Sequence, residues 1–172
     1  MLECDINAQL IKQAEEKAAC LIDKLKELSL KLVLAESCTA GLVSSFMANV
    51  PGASGVLYGS FVCYTQDAKV SMLNLNRGKL EEHGLVSGET ACSMVKGALE
   101  KSGADIAASV TGLAGPNGDG SGVPVGTVWV AAAKQNGGIE AKEHHFTGER
   151  NEVRIKAAIA VFEALDTILK NQ

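Results

Sequence analysis

The sequence contains few histidines, prolines and aromatic residues, and these shortages limit what the chain can be. Aromatic residues make up 4% of the 172 residues, so the core is predicted to consist mostly of Leu, Val, Ile and Ala. The three histidines, His83, His144 and His145, show no spacing with cysteine or aspartate that is typical of a metal site. We therefore expect neither a catalytic metal nor another cofactor.

Paired thiols, targeting signals and membrane spans are also lacking. The cysteines are odd in number, scattered and free of any C-x-x-C pair, which favours reduced thiols over a disulfide framework; they are Cys4, Cys20, Cys38, Cys63 and Cys92. No basic N-terminal segment leads into an apolar run, and no stretch reaches membrane-spanning length. These absences predict a cytoplasmic protein without a membrane partner.

Positive charge is in short supply. The chain has 16 Lys and Arg residues against 20 Asp and Glu residues, a formal net charge of −4. Nucleic acids are bound mainly through clustered Lys and Arg side chains that neutralise phosphates. We therefore expect no nucleic-acid partner, although a few donors are enough to hold a single phosphate group.

Helical and extended segments alternate along the chain. Hydrophobic residues form 47% of the sequence, enough for one compact domain over residues 1–172. Apolar spacing predicts helices over about 6–28, 42–50, 66–73, 77–83, 88–101 and 151–170, and strands over about 30–35, 56–65, 106–111, 125–133 and 139–146. Together with one hairpin at Asn136-Gly137, this order predicts a three-layer α/β/α sandwich with a mixed, mainly parallel sheet.

Three loops at strand ends are candidates for a ligand site, because ligands of such sheets bind where loops leave the strands. They are the turn at 35–41, the segment at 64–69 and the glycine-rich loop at 112–124. The first joins a strand to a helix and is dense in small hydroxyl and thiol groups. The first-turn N–H groups of that helix are expected to be unpaired, and so to stabilise an anion or a developing oxyanion.

Ser37, in the first of these loops, is either a helix-capping residue or a nucleophile. Lys69 follows a strand end; if it is desolvated its pKa is lowered, and a neutral amine can accept the serine proton. A solvated Lys69 would have no such role. Tyr64 is close enough in sequence to orient the amine or relay a proton, or it packs at the strand rim. Cys38 competes with Ser37 as the nucleophile but has no obvious histidine partner.

The glycine-rich loop is neither a Walker loop nor a Rossmann fingerprint. It is either a flexible surface connection or a run of backbone N–H groups that wraps a ligand. Thr111, at the end of the preceding strand, could hold a polar group of that ligand. Arg150, just before the last helix, could bind a phosphate bidentately or form an ordinary surface pair with a glutamate.

Taken together and in order, these segments resemble the CinA C-terminal family, whose enzymes are nicotinamide-nucleotide amidases of the PncC type. The resemblance spans roughly residues 8–168 and rests on A-E-S-C-T-A-G at 35–41, Tyr64 with Ala68-Lys69, H-G-L-V-S at 83–87, S-V-T-G-L-A-G-P at 109–116 and P-V-G-T-V at 124–128. One departure is Ala40, where the family usually has glycine. Because alanine is tolerated in the first turn of a helix, we expect slight crowding without loss of activity.

The resemblance implies hydrolysis of nicotinamide mononucleotide to nicotinate mononucleotide and ammonia, in pyridine-nucleotide salvage. By motif position, Ser37 would be the nucleophile and Lys69 the general base, with Tyr64 assisting. Substrate binding would fall to Thr111, Arg150, Thr39 and Gly112. The turn after Ser37 or the loop after Thr111 could supply the N–H donors of an oxyanion site. The separate nucleotide-processing domain of some CinA proteins is missing, so the stand-alone form is expected.

Two rival functions stay open on the sequence alone. One is a different Ser-Lys amidohydrolase that acts on another small amide. The other is a non-catalytic binding or regulatory protein linked to competence or DNA damage, as some family members suggest. A homo-oligomer is open as well, because the first helix has an apolar stripe that could pack against a second subunit. Since Ser37 and Lys69 are both present, the sequence favours the enzyme.

Overall fold

The computed structural model describes residues 2–170, with side chains from residue 6 onward. The helices are α1 (Leu2–Glu27), α2 (Leu42–Ala48), α3 (Gln66–Leu73), α4 (Arg77–His83), α5 (Gly88–Ser102) and α6 (Arg150–Lys170), with a 3-10 turn at Ala53–Gly55. The strands are β1 (Leu32–Glu36), β2 (Leu57–Val62), β3 (Ile106–Gly112), β4 (Thr127–Lys134) and β5 (Ile139–His145). Each helix and strand predicted from the apolar spacing is present, with ends that differ by a few residues at most.

The described strands form one sheet in the order β2-β1-β3-β4-β5. β1 pairs in parallel with β2 and β3, whereas β4 pairs antiparallel with both β3 and β5. Four of these strands therefore run in one direction and β4 runs in the other, so parallel and antiparallel pairings are equally frequent. The predicted three-layer domain with a mixed sheet is confirmed.

β1 lies inside the sheet and is buried on both faces. Leu32 and Leu34 pack with α1, α2 and α6, while Val33 and Ala35 pack with residues of α3, α4 and α5. Because successive side chains of a strand point to opposite faces, a strand covered on both sides needs an unbroken apolar run. The sequence of β1 has that run, and it ends at Glu36.

α1 packs along α6 through a stripe of small and apolar side chains, which includes Ala14, Ala18, Leu21, Ile22 and Leu25. The same predicted stripe contains Ile6 and Ile11, which stay 45% and 39% exposed in the single chain. Most of this apolar stripe is therefore buried inside the single chain. Assembly into a homo-oligomer stays a prediction.

The parallel strands place the three candidate loops at one edge of the sheet. Glu36 is in register with Val62 of β2 on one side and with Val110 of β3 on the other. The residues that follow these positions, Ser37 and Thr111 among them, therefore come close together. The carboxyl ends of parallel strands meet at the same edge, which is why ligand sites form there.

The turn after β1 is tighter than the sequence suggested. Ala40 has a φ of +51° and Gly41 a φ of +89°, and α2 begins only at Leu42. The expectation that Ala40 occupies the first turn of a helix is therefore wrong. Its backbone is left-handed, a conformation that glycine adopts freely and that costs an L-residue about 1 kcal/mol. This explains physically why a glycine suits the position.

Replacing Ala40 by glycine should therefore stabilise the protein. We expect Ala40→Gly to raise the free energy of unfolding by up to about 1 kcal/mol, because it relieves the left-handed strain. Urea unfolding measures this change. The matched control is Ala48→Gly at the exposed end of α2, where the same substitution should destabilise by about 0.5–1 kcal/mol. Equal destabilisation by both substitutions would contradict the backbone assignment.

Gly97 in α5 gives a second test of the packing. A Cβ atom there would lie 2.5 Å from the carbonyl oxygen of Leu73, at the end of α3. Gly97→Ala should destabilise by about 1–3 kcal/mol through overpacking, although glycine to alanine normally stabilises a helix interior. Thermal unfolding measures this loss of stability. The matched control is Gly55→Ala, whose Cβ would meet no atom within 4 Å. A Gly97→Ala protein as stable as wild type would refute this contact.

Candidate active site

The three candidate loops enclose one cavity of about 230 Å³ at the edge of the sheet. Its floor includes the buried residues Ser37, Lys69 and Thr111, while Tyr64 and Arg150 stand at its exposed rim. The remaining lining residues are Cys38, Leu85, Val86, Gly112, Leu113, Ala114 and Asp119. The structure therefore brings together six of the seven residues to which the resemblance assigns catalysis or substrate binding, all except Thr39.

A larger groove of about 640 Å³ lies between α1 and α6, away from these loops. Its lysines Lys17 and Lys24 form ion pairs with Glu163 and Asp166. The groove also contains no serine. Size alone therefore does not identify the reactive site.

Ser37 and Lys69 are in direct contact within the smaller cavity. Nζ of Lys69 lies 2.8 Å from Oγ of Ser37, and the same amine donates a hydrogen bond to the carbonyl oxygen of Cys63 at 2.9 Å. The Cys63 carbonyl comes from the end of β2 and fixes the direction of the amine. Ser37 does not cap α2, and Lys69 is not a surface lysine, because only 1% of it is exposed.

Burial sets the charge state of Lys69. Loss of solvent lowers the pKa of its amine below the ordinary value of 10.5, and the nearby thiols of Cys63 and Cys38 oppose this only in part. Among the described residues no carboxylate lies within 4 Å of the amine, as it would in an ion pair. An amine buried without a counter-charge favours its neutral form, which is the form that accepts a proton.

The alternative nucleophile Cys38 is in the opposite position. Its side chain is buried, and burial raises the pKa of its thiol to about 12, despite the opposing effects of its own backbone N–H, Lys69 and Arg154. The negative charge of Glu36 raises this pKa further. The thiolate, the reactive form of cysteine, is therefore strongly disfavoured at neutral pH. The side-chain hydrogen bond of the Lys69 amine is made to the hydroxyl of Ser37.

Glu36, the last residue of β1, organises the turn beside Ser37. It is 1% exposed, and its carboxyl oxygens accept hydrogen bonds from Oγ1 of Thr39 (2.8 Å), N–H of Val43 (3.1 Å), N–H of Ser44 (2.9 Å) and Oγ of Ser60 (3.0 Å). The sequence prediction gave this residue no role. It also predicted that the first-turn N–H groups of α2 are open to an anion, which is wrong because Glu36 occupies two of them.

Arg154, on the first turns of α6, is a second residue that the sequence did not reveal. Its Nε donates to the carbonyl oxygen of Cys38 at 3.2 Å, and its Nη2 donates to that of Thr39 at 2.7 Å. The partners are more than a hundred positions apart in sequence, and nothing in the local pattern around Arg154 marks it. Only the packing of α6 against α2 brings them together.

Arg150 and Tyr64 form a bridge across the rim of the cavity. Nη2 of Arg150 donates to the hydroxyl oxygen of Tyr64 at 2.7 Å, and its Nη1 donates to the carbonyl oxygen of Gly115 at 2.5 Å. The alternative of an Arg150–glutamate surface pair is not seen among the described residues. Tyr64 meets Arg150 and not Lys69, so orientation of the amine falls to Cys63.

The other residues predicted to bind substrate take different places. Thr111 lines the cavity, and its hydroxyl donates to the carbonyl oxygen of Leu85 at 2.7 Å. Gly112 lines it too, and a Cβ atom there would lie 2.7 Å from Cγ2 of Val128, so only glycine fits. Thr39 does not line it: the side chain is fully buried and its hydroxyl is committed to Glu36.

The described part of the chain contains no group of three or more His, Cys, Asp or Glu side chains arranged to hold a metal ion. The four cysteines with described side chains are free thiols, and Cys4 lies outside those residues. Among residues 2–170, no helix combines the length and the apolar character needed to cross a membrane.

Sequence comparison finds relatives that match most of this chain. A family model for the CinA C-terminal domain matches residues 14–169. A CinA-like protein of Syntrophomonas wolfei subsp. wolfei is 41% identical over 154 residues, which cover 90% of this chain and 36% of that protein. A CinA-like protein of Thermotoga maritima is 37% identical over 158 residues, which cover 92% and 38% respectively. The chain thus spans about a third of the length of these curated relatives.

Solved structures that resemble this chain have related names. The competence/damage inducible protein CihA from Agrobacterium tumefaciens has a TM-score of 0.88 at 37% identity, over 93% of this chain and 96% of that one. A CinA superfamily protein from Escherichia coli has a TM-score of 0.86 at 31% identity, over 90% of each chain. Sequence and fold agree along nearly the whole length: the chain belongs to the CinA C-terminal domain family.

Proposed function

We propose that the chain is an amidase that hydrolyses nicotinamide mononucleotide to nicotinate mononucleotide and ammonia. The observation that carries the proposal is the buried amine of Lys69, 2.8 Å from the hydroxyl of Ser37 and without a carboxylate partner among the described residues. A serine hydroxyl needs such a base, because it is a weak nucleophile at its own pKa. The choice of this amide rests on the resemblance to the PncC-type enzymes of the family.

The geometry supports a two-step acyl transfer. Oγ of Ser37 attacks the carboxamide carbon while the neutral amine of Lys69 accepts its proton. The resulting ammonium of Lys69 then protonates the amide nitrogen, the C–N bond breaks, and ammonia leaves an ester on Ser37. In the second step Lys69 takes a proton from water, the hydroxide attacks the ester, and the proton returns to Oγ of Ser37.

The rim of the cavity suits the rest of a nucleotide. Arg150 is exposed there and carries a permanent charge, so its guanidinium can exchange its neutral partners, Tyr64 and the Gly115 carbonyl, for a phosphate group. The reacting carboxamide would lie at the buried end, near Ser37 and Thr111. In this arrangement the ring enters a cavity of about 230 Å³ while the phosphate stays at the surface.

A non-catalytic binding or regulatory role is the second candidate. The observation that favours it is the name of a solved relative, the competence/damage inducible protein CihA. A binding surface has no need for an amine held at hydrogen-bond distance from a serine inside the protein, since burial of that amine is costly. The enzyme accounts for this cost and the binding role does not. The ammonia-release assay described next also tests whether the protein cleaves another small amide instead of the nucleotide.

Ammonia release from nicotinamide mononucleotide tests the proposal. We expect Ser37→Ala and Lys69→Met to lower kcat/KM by about a thousandfold or more, as removal of a nucleophile or its base does in serine hydrolases. Methionine replaces Lys69 because its volume suits a buried site. Cys38→Ala should stay active, and a chelator should change nothing.

Each other outcome has a definite meaning. If only Cys38→Ala lost activity, the nucleophile would be the Cys38 thiol, and the protein would still be an amidase. A folded wild-type protein that releases ammonia from other small amides but not from the nucleotide would support the rival amidohydrolase. No ammonia from any amide would leave the binding role.

The pH dependence tests the charge state of Lys69 separately. Only the neutral amine can accept the proton of Ser37, so kcat/KM should rise with pH and level off once Lys69 is deprotonated. Because burial lowers the pKa of Lys69, this rise should be centred below pH 10.5. A rise centred at or above 10.5 would show that Lys69 is an ordinary charged lysine. Cys38→Ala, which lacks the competing thiol, should keep this rise, and any shift should be to lower pH because Cys38 raises the pKa of Lys69.

A further inference from the structure

The wall of the cavity that contains Ser37 carries charges of both signs. Of the described residues that line it, Asp119 in the glycine-rich loop is the only one with a carboxylate. Two others carry an amine or a guanidinium, Lys69 on the buried floor and Arg150 at the exposed rim. Burial lowers the pKa of Lys69 and so favours its neutral form. The cavity therefore offers a ligand one negative charge and, at the rim, one permanent positive charge.

The carboxylate of Asp119 is held in place without being neutralised. Its Oδ1 accepts hydrogen bonds from the N–H (3.0 Å) and the Oγ (2.5 Å) of Ser121. These hydrogen bonds lower the pKa of the Asp119 carboxyl group below its ordinary value of 3.8, so the group is ionised at neutral pH. Among the described residues, no other residue donates to Oδ2, and no Lys, Arg or His nitrogen lies within 4 Å of the carboxylate. One oxygen and the full negative charge are left for a ligand.

The guanidinium of Arg150 is turned to other groups. It donates to the hydroxyl oxygen of Tyr64 and to the carbonyl oxygen of Gly115, both of which are neutral. Asp119 and Arg150 thus remain two separate charges on one cavity. A ligand that carries a positive group and a negative group at different places complements this arrangement better than a neutral ligand does.

Nicotinamide mononucleotide, the proposed substrate, has this distribution of charge. Its pyridinium ring is positively charged and its phosphate is negatively charged. The ring nitrogen bears the ribose and has no proton to donate, so a protein recognises it through charge and not through a hydrogen bond. With the carboxamide at Ser37 and the phosphate at Arg150, this nitrogen lies between the buried floor and the exposed rim. Asp119 is an exposed residue of the same cavity wall.

We propose that the carboxylate of Asp119 determines specificity by attracting the pyridinium ring, and so selects amides of a cationic, N-substituted pyridine over uncharged amides. The inference deepens the proposed function and rests on it. The ring keeps its charge in the bound substrate, in the transition state and in the acyl ester on Ser37. Attraction by Asp119 therefore strengthens binding at every stage and hardly changes the chemical step, so its loss should raise KM and leave kcat nearly unchanged.

Steady-state kinetics at low ionic strength, where charges are least screened, tests this split between KM and kcat. Asp119→Asn keeps the shape of the side chain and removes its charge. We expect KM for the nucleotide to rise about three- to fivefold, as for loss of an exposed charge pair, with kcat changed by less than about twofold. Asp119→Glu keeps the charge and should restore part of the affinity. The matched control is Glu149→Gln, which removes a charge beside Arg150 from a residue outside the cavity lining and should not raise KM.

A matched pair of ligands tests the role of the ring charge directly. In the neutral analogue of the nucleotide, a carbon atom replaces the ring nitrogen, while the carboxamide, the ribose and the phosphate are unchanged. Ser37→Ala should bind both ligands without cleaving either, and calorimetry measures the two Kd values. Adding Asp119→Asn should weaken binding of the nucleotide about three- to fivefold and leave the Kd of the neutral analogue unchanged. Added salt should reduce the difference, because it screens the exposed carboxylate.

Three results would overturn the inference while the nucleotide is still bound and cleaved. Equal loss of affinity for both ligands would mean that Asp119 only supports the loop. Unchanged affinity for both would mean that the carboxylate does not meet the ring. Tighter binding of both would place Asp119 beside the phosphate.

Two further results separate this inference from the proposed function. Preference of Ser37→Ala for the cationic ligand, dependent on Asp119, would support the inference even if the wild type released no ammonia, and would refute the amidase. Binding of neither ligand would overturn the inference and the proposed substrate together.

Discussion

The burial of the Lys69 amine without a counter-charge is the constraint on which the site depends. Removing an ammonium group from water without pairing it costs several kcal/mol, which is why burial lowers the pKa of the Lys69 amine. The carbonyl of Cys63 holds this amine against Ser37. A carboxylate beside this amine would instead favour its charged form. The buried carboxyl group of Glu36, next to Ser37 in sequence, accepts hydrogen bonds from four other donors.

The fold brings these groups together through strand order. β1 stands between β2 and β3, so the ends of these three parallel strands deliver Ser37, Cys63 with Lys69, and Thr111 to one edge of the sheet. α6, from the opposite end of the sequence, closes the site with two arginines. Arg150 stands at the rim and Arg154 holds the turn, so one helix serves both the outside and the inside of the cavity.

The sequence predicts the helices, the strands and the three loops well, because apolar spacing and loop position are local signals. It also brings Ser37, Lys69, Tyr64, Thr111 and Arg150 to one place, since each follows a strand end or precedes a helix. Arg154 escapes prediction because its contacts are made to backbone carbonyls of residues more than a hundred positions away. Glu36 escapes because its hydrogen bonds to Thr39, Val43 and Ser44 depend on how the turn after β1 folds. The left-handed Ala40 escapes for a related reason: dihedral angles in a tight turn depend on the hydrogen bonds around it.

Detection of the covalent intermediate tests the central claim most directly. A rapid acid quench of the protein during turnover of nicotinamide mononucleotide, followed by peptide mass mapping, reads which side chain carries the acyl group. The Ser-Lys account predicts an acyl ester on Ser37 that is absent from Ser37→Ala. An acyl group on Cys38, or a complete single turnover without any acyl adduct on Ser37, would contradict it.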